Sequence, residues 1–177
     1  MHALIAAARA RGGLTFVGIG GRGGSGKSTL ARTVPDAVVV ATDAFWDGAA
    51  FDLSRLRREV FDPLLRGEAA EYATWDWGAG RPGGLERVEP TERVVVVEGV
   101  CALHRLFRDD EAVRVWVEAP YEVRLARGIA RDGEAARRTW TDVWMPSEDA
   151  YVRRDDPISC AHIVVDGSAP LPPRLAG

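Results

Sequence analysis

Short apolar runs alternate with glycine-rich turns and amphipathic stretches along most of the chain. Residues 15–20 read as a buried strand, followed by a glycine-rich turn and a helix that begins near Lys27. Residues 37–41 form a second apolar run that ends in polar residues. Between 53 and 65 the apolar positions Leu53, Leu56, Val60 and Leu64 have helical spacing. Residues 94–97 are four consecutive valines, the mark of a parallel strand covered on both faces, and 113–117 have the same character. Residues 121–131 predict a helix interrupted near Gly133, a further helical stretch precedes Pro157, and 163–165 close the sheet. This alternation predicts an α/β fold with a parallel five-stranded sheet flanked by helices.

Residues 66–92 break the pattern. Gly67, Gly78, Gly80, Pro82, Gly83, Gly84 and Pro90 surround a short stretch at 72–77. That composition predicts a small hairpin or lid over a site rather than a strand of the main sheet. The proline-rich end, 168–177, reads as a loose tail.

Composition changes this picture little. A chain of 177 residues, 46% hydrophobic and 28% charged, suits one globular domain with a real core. No apolar run approaches the ~20 residues of a membrane helix, and the first residues lack the layout of a secretory signal. A cytoplasmic protein is the expectation. The formal charge of −3 gives no general attraction to nucleic acid or an anionic membrane. Cys101 and Cys160 match no metal or disulfide spacing and read as reduced thiols; His2, His104 and His162 form no ligand set. Two absences carry more weight: Lys27 is the only lysine, and the chain has neither asparagine nor glutamine.

That lysine closes Gly21-Arg22-Gly23-Gly24-Ser25-Gly26-Lys27-Ser28, which fits the phosphate-loop pattern G-x-x-x-x-G-K-[ST]. Glycines allow backbone angles in which successive N–H groups turn toward phosphate oxygens, and the helix that follows adds its positive end. Lys27 is placed to reach the β- and γ-phosphates and Ser28 to offer its hydroxyl to Mg²⁺. Composition alone would give the lone lysine these partners about once in a thousand shuffles, before the required strand and helix are demanded. The nucleotide-binding set is Gly21, Gly23, Gly24, Ser25, Gly26, Lys27, Ser28 and Thr29, with ATP and Mg²⁺ as the implied cofactors. A guanine-reading element needs a second lysine, and the transporter-type signature needs a glutamine. Both classes are excluded, which leaves the compact nucleotide and metabolite kinases.

Two acids follow strand ends: Asp43 in Thr42-Asp43-Ala44-Phe45-Trp46, and Glu98 after the valine run. The carboxyl ends of parallel strands face the ligand crevice, so both should converge on the loop. Asp43 could take the proton of an attacking hydroxyl, while Glu98 could place the metal or its water. Each acid alone reads equally as a helix cap or a solvated strand end. Arg124, Arg127 and Arg131 share one helix face. Trp46, Trp75 and Trp77 fall in loops near the expected site, whereas Trp116, Trp140 and Trp144 have the spacing of packing residues.

An ordered set of segments resembles the uridine kinase and phosphoribulokinase family, particularly its small bacterial uridine-kinase-like members. They are GIGGRGGSGKSTLA, TDAFW, FDLSRL, PLLRGE, WDW, VVVVEGV, VEAPYEVRLARGIARD and AHIVVDG. The resemblance implies a single P-loop kinase domain over 1–177 that phosphorylates a hydroxyl of a small molecule. It implies Asp43 as the catalytic base, with Ser28, Asp43 and Glu98 around the metal. It assigns Phe45, Trp46, Asp52, Trp75, Asp76 and Trp77 to the substrate, Asp52 to its ribose hydroxyls. Arg131, with Arg137 and Arg138, falls in a lid at about 128–145 that closes over the phosphates. The chain departs from the family where a paired arginine is replaced by Gly128, where GEAARRTW lacks the usual Glu-Arg-Gly-Arg order, and where tryptophans replace Tyr and Phe in the hairpin. A nucleoside is the first acceptor to consider. A sugar, a pantothenate-like precursor, an antibiotic or a non-kinase nucleotide switch stay open, as does a homo-oligomer.

Overall fold

A five-stranded parallel sheet forms the centre of the protein in the computed structural model, which describes residues 1–91 and 93–169. The expected loose tail lies, from 170 onward, outside the described residues. The strands are β1 (Thr15–Gly21), β2 (Val38–Ala41), β5 (Val94–Gly99), β6 (Glu111–Glu118) and β7 (Ile163–Asp166), in the order β2-β5-β1-β6-β7. The central strands β1 and β5 are buried along their whole length. Side chains alternate across a strand. Val95 and Val97 therefore meet Leu56 and Phe61 on one face, while Val94 and Val96 meet Ile5 and Leu30 on the other. Four valines in a row thus serve two cores at once.

The second of those faces is covered by α2 (Lys27–Ala31) and by α1 (His2–Arg9), an N-terminal helix that hydrophobic spacing did not single out. On the first face, the expected helix over 53–65 is α3 (Leu53–Leu56), a wider π turn at Arg57–Phe61, and α4 (Asp62–Leu65). The second helical region repeats that design. After α5 (Tyr121–Asp132) and a 3-10 turn at Glu134–Ala136 come α6 (Arg137–Thr139), a π turn at Trp140–Trp144, and α7 (Met145–Asp155). Each π turn lies just before or around a proline position, Pro63 or Pro146. A proline ring clashes with the carbonyl four residues back in a regular α-helix, and a wider turn relieves that clash. Among the described residues no helix is long and apolar enough to cross a membrane.

Residues 70–88 stand apart from the main sheet as an antiparallel pair, β3 (Ala70–Asp76) and β4 (Arg81–Val88). Tyr72 and Val88 anchor the pair in the core, with the Tyr72 ring 5.1 Å from that of Phe45. Most of β4 is exposed.

Two close approaches carry consequences. Glu111 opens β6 almost fully buried, and neither carboxylate oxygen has a hydrogen-bond partner among the described residues. A side chain on Gly18 would overlap it. Burial therefore pushes the Glu111 carboxyl well above its ordinary value, with Arg114 and Arg108 only partly opposing this. The second approach is at Gly128, where any side chain would overlap the Trp140 indole. Trp140 is buried, meets Trp144 edge-on at 5.2 Å, and donates from Nε1 to Asp132 at 2.9 Å. The space an arginine would need at 128 is filled by that ring.

A raised folded pKa means the native state holds this proton more tightly than the unfolded chain, so Glu111 erodes stability as pH rises above its ordinary value. Thermal melts of Glu111→Gln should show its advantage over wild type growing from pH 5 to pH 8; a pH-independent gap would refute this account. Gly128→Arg should overpack the contact and cost about 1–3 kcal/mol, read as a melting point lowered by several degrees. An unchanged melting point would show that Trp140 yields freely.

Candidate active site

The sheet brings three strand ends together. β1 runs into the loop at 22–26 and then α2; β2 ends beside β5, with Ala41 paired to Glu98. Gly24 and Gly26 adopt left-handed backbone angles, φ 75° and 100°, which a residue with a Cβ rarely tolerates. Space adds to the requirement at Gly24, because a Cβ there would lie 2.9 Å from the Arg124 Cα. Ser25 is fully buried, and its hydroxyl has no partner among the described residues. Lys27, Ser28 and Thr29 form the first turn of α2, so their N–H groups have no acceptor inside the helix. The loop is crowded on its outer side and retains free donors at its helical end.

Two of the expected acids meet here. The Ser28 hydroxyl donates to Glu98 Oε2 at 3.1 Å. Burial pushes the Glu98 carboxyl up; the Lys27 ammonium pulls it back, nearby Asp43 pushes it further, and the Ser28 bond and Arg32 oppose. Asp43 is exposed in the 3-10 turn Thr42–Phe45 that follows β2. Ser28, Asp43 and Glu98 make a small set of hard oxygen donors, the chemistry that suits Mg²⁺ held partly by phosphates rather than by a full protein cage. Among the described residues no group of three or more His, Cys, Asp or Glu could hold a metal ion.

The expected acceptor-side residues separate into two groups. Phe45 is wholly buried in the core, under the Arg55 guanidinium at 4.8 Å and against Tyr72, so it supports the wall without offering a surface to a ligand. This corrects its assignment as a substrate contact. The reason is the turn after β2, which points Ala44 and Phe45 inward. Trp46 meets Phe51 edge-on at 5.1 Å and Trp77 at 5.6 Å, and Trp75 lies next to Gly48. Asp52 caps α3 by accepting the Arg55 N–H at 2.8 Å. Asp76 accepts the N–H groups of Gly78 and Ala79, which organises the hairpin turn.

The arginines of α5 are also divided. Arg131 is held by both oxygens of Asp132 and lies 5.6 Å over the Trp140 ring, within electrostatic reach of Asp43 and Glu148. Arg137 pairs with Glu134, and Arg138 with Asp142 at 3.6 Å, both on the surface. Arg127 donates to the Gly24 carbonyl at 3.2 Å and to that of Gly167 at 2.8 Å. Arg124 is buried, bonding the Ala119 carbonyl and facing Glu148 at 3.5 Å. The loop is gripped from α7 as well: Gly23 N–H donates to Glu148 at 2.9 Å, and Arg22 bonds Asp149 at 2.8 Å and Glu118 at 3.0 Å. Glu148, Asp149 and Glu118 were not legible as site residues. Their partners lie about a hundred residues away in sequence, and only the helical spacing of Arg124 and Arg127 hinted at a shared face.

No family model matches the chain. A uridine kinase of Halobacterium salinarum is 30% identical over 140 residues, which cover 66% of this chain and 61% of that protein, so the chain spans less than two thirds of its relative's length. A structure described as a possible uridine kinase from Bacillus stearothermophilus has the same fold, with TM-score 0.65 and 18% identity over 92% of this chain and 97% of the other. Phosphoribulokinase from Rhodobacter spheroides aligns at TM-score 0.50 and 14% identity, over 88% of this chain and 73% of that one. With the loop, the strand order and the placement of its acids, these likenesses make the chain similar in sequence to a uridine kinase and give it the fold of the uridine kinase and phosphoribulokinase structures.

Proposed function

We propose that the protein is an ATP-dependent kinase that transfers the γ-phosphoryl group to a hydroxyl of a small metabolite, with a nucleoside as the favoured acceptor. The observation that carries this reading is the Ser28–Glu98 hydrogen bond beside Lys27, opposite an exposed Asp43. In this reading the loop amides and Lys27 take the triphosphate. Bound Mg²⁺, held by Ser28 with Glu98 and Asp43 close by, would neutralise charge on the β- and γ-oxygens. Asp43, exposed in the turn that follows β2, accepts the acceptor's hydroxyl proton. Arg131 approaches from the lid at about 128–145 to balance charge on the transferring group, after exchanging its present hold on Asp132 for phosphate.

Support for a nucleoside comes from the acceptor side. Trp46 and Trp77, with ring centroids 5.6 Å apart, and Trp75 beside Gly48 make an aromatic group next to the hairpin that suits a planar heterocycle. Asp52 uses one oxygen for its cap and leaves the other for a diol, and Asp76 marks the rim. A melting-temperature screen with ATP analogue, Mg²⁺ and each of a nucleoside, a pentose, pantothenate and an aminoglycoside would discriminate the acceptors. Stabilisation by the nucleoside alone is expected, and stabilisation by another acceptor alone would replace it.

Asp43→Asn should lower the rate of phosphoryl transfer by about 10²–10⁴ while leaving ATP affinity intact. Wild-type turnover in that variant would remove Asp43 as the base. Lys27→Arg should abolish turnover even though every other Lys-or-Arg position is arginine, because a planar guanidinium is too wide for a point-charge slot. Full activity in that variant would contradict the assigned geometry.

A further inference from the structure

Glu148 is a buried acid on α7 with no place in the chemistry described above, yet it touches the phosphate loop directly. Its Oε1 accepts the Gly23 N–H at 2.9 Å, and its Oε2 faces Arg124 Nη1 at 3.5 Å. The residue is 8% exposed. Its neighbour Asp149 takes Arg22 at 2.8 Å, so two consecutive residues of α7 hold two consecutive residues of the loop. The fit is close: a Cβ at Gly23 would lie 2.7 Å from Glu148 Oε1 and 2.9 Å from the Trp140 ring. Burial pushes the Glu148 carboxyl above its ordinary value, with the Gly23 amide, Lys27, Arg124 and Arg22 only partly opposing this.

The direction of the Gly23 N–H matters. It is turned outward to α7, so this amide is spent on the protein and not on phosphate. What the bond does is fix the outer arm of the loop, Gly23–Gly24, against which the left-handed turn to Gly26 is built. The same helical arm carries Arg131 on α5, and Trp140 links the two, lying against Gly23 and under Arg131 while bonding Asp132. We propose that Glu148 is a positioning residue: through its bond to Gly23 it sets the phosphate loop for the triphosphate and couples that loop to the arm bearing Arg131. The inference rests on the kinase reading above, because it assumes that the loop receives ATP.

A bland alternative is that Glu148 only neutralises buried Arg124. Two conservative variants of the full chain separate these roles. Glu148→Asp keeps the charge opposite Arg124 but withdraws the carboxylate by one methylene from Gly23. Glu148→Gln keeps an acceptor for Gly23 but removes the charge. Calorimetry with a non-hydrolysable ATP analogue and Mg²⁺ gives the affinity, and melting curves without nucleotide give the stability. Positioning predicts that Glu148→Asp weakens binding about tenfold, the loss of one hydrogen bond to a charged group. It predicts that Glu148→Gln recovers most of this, losing no more than about threefold in affinity even if its melting point drops. Glu148→Asp that binds like wild type, or Glu148→Gln that binds as poorly as Glu148→Asp, overturns the proposal and leaves the kinase reading in place. Wild type that ignores the analogue overturns both, and the wild-type titration alone tells that case apart.

Discussion

The structure depends on how residues 21–28 are held from outside. A phosphate loop must keep an unusual backbone path while leaving donors free, so its supports have to come from the rest of the fold. Here β1 delivers the loop from the centre of the sheet, and α5 and α7 close on it from behind through Arg124, Arg127, Glu148 and Asp149. Close packing, more than the glycine content itself, fixes the path. Gly23 is pressed by Trp140 and Glu148, and Gly24 by the α5 backbone. Close-packed interiors transmit strain, and these contacts tie the loop to the helical arm.

Three buried glutamates show how the same side chain takes different roles. Glu98 sits at a strand end with a hydroxyl, an ammonium and a second acid around it, the setting of a group that can hold metal oxygens. Glu148 is shared between a backbone amide and a guanidinium, the setting of a strut. Glu111 has neither oxygen satisfied among the described residues, and burial pushes its carboxyl well above the ordinary value. Burial raises all three carboxyls, and the groups around each decide what it does.

Much of the fold could be read in advance, for physical reasons. Runs of valine long enough for a strand and too short for a helix marked β5, and the phosphate loop located both the end of β1 and the start of α2. The doubly wound order then brought Asp43 and Glu98 to the same edge. Other features were hidden. An acid that caps a helix and an acid that holds a ligand leave the same mark in sequence, as Asp52 shows by capping α3. Phe45 stood in a site motif but turned into the core. The π turns needed prolines to be read together with the helices around them, and α1 is only eight residues long, with Ile5 and Ala8 alone buried. Gly128 looked like a lost arginine, yet it is the seat of Trp140. The contacts of Glu148 and Asp149 join residues separated by 125 and 127 positions, which no local pattern encodes.

A crystal structure with an ATP analogue and Mg²⁺ bound tests the central claim most directly. The account predicts the triphosphate against the amides of the loop and the first turn of α2, with Lys27 on its terminal phosphates and the metal beside Ser28, while the Gly23–Glu148 bond persists. A nucleotide bound elsewhere, or a loop that rearranges so that Glu148 leaves Gly23 when the triphosphate enters, would contradict it.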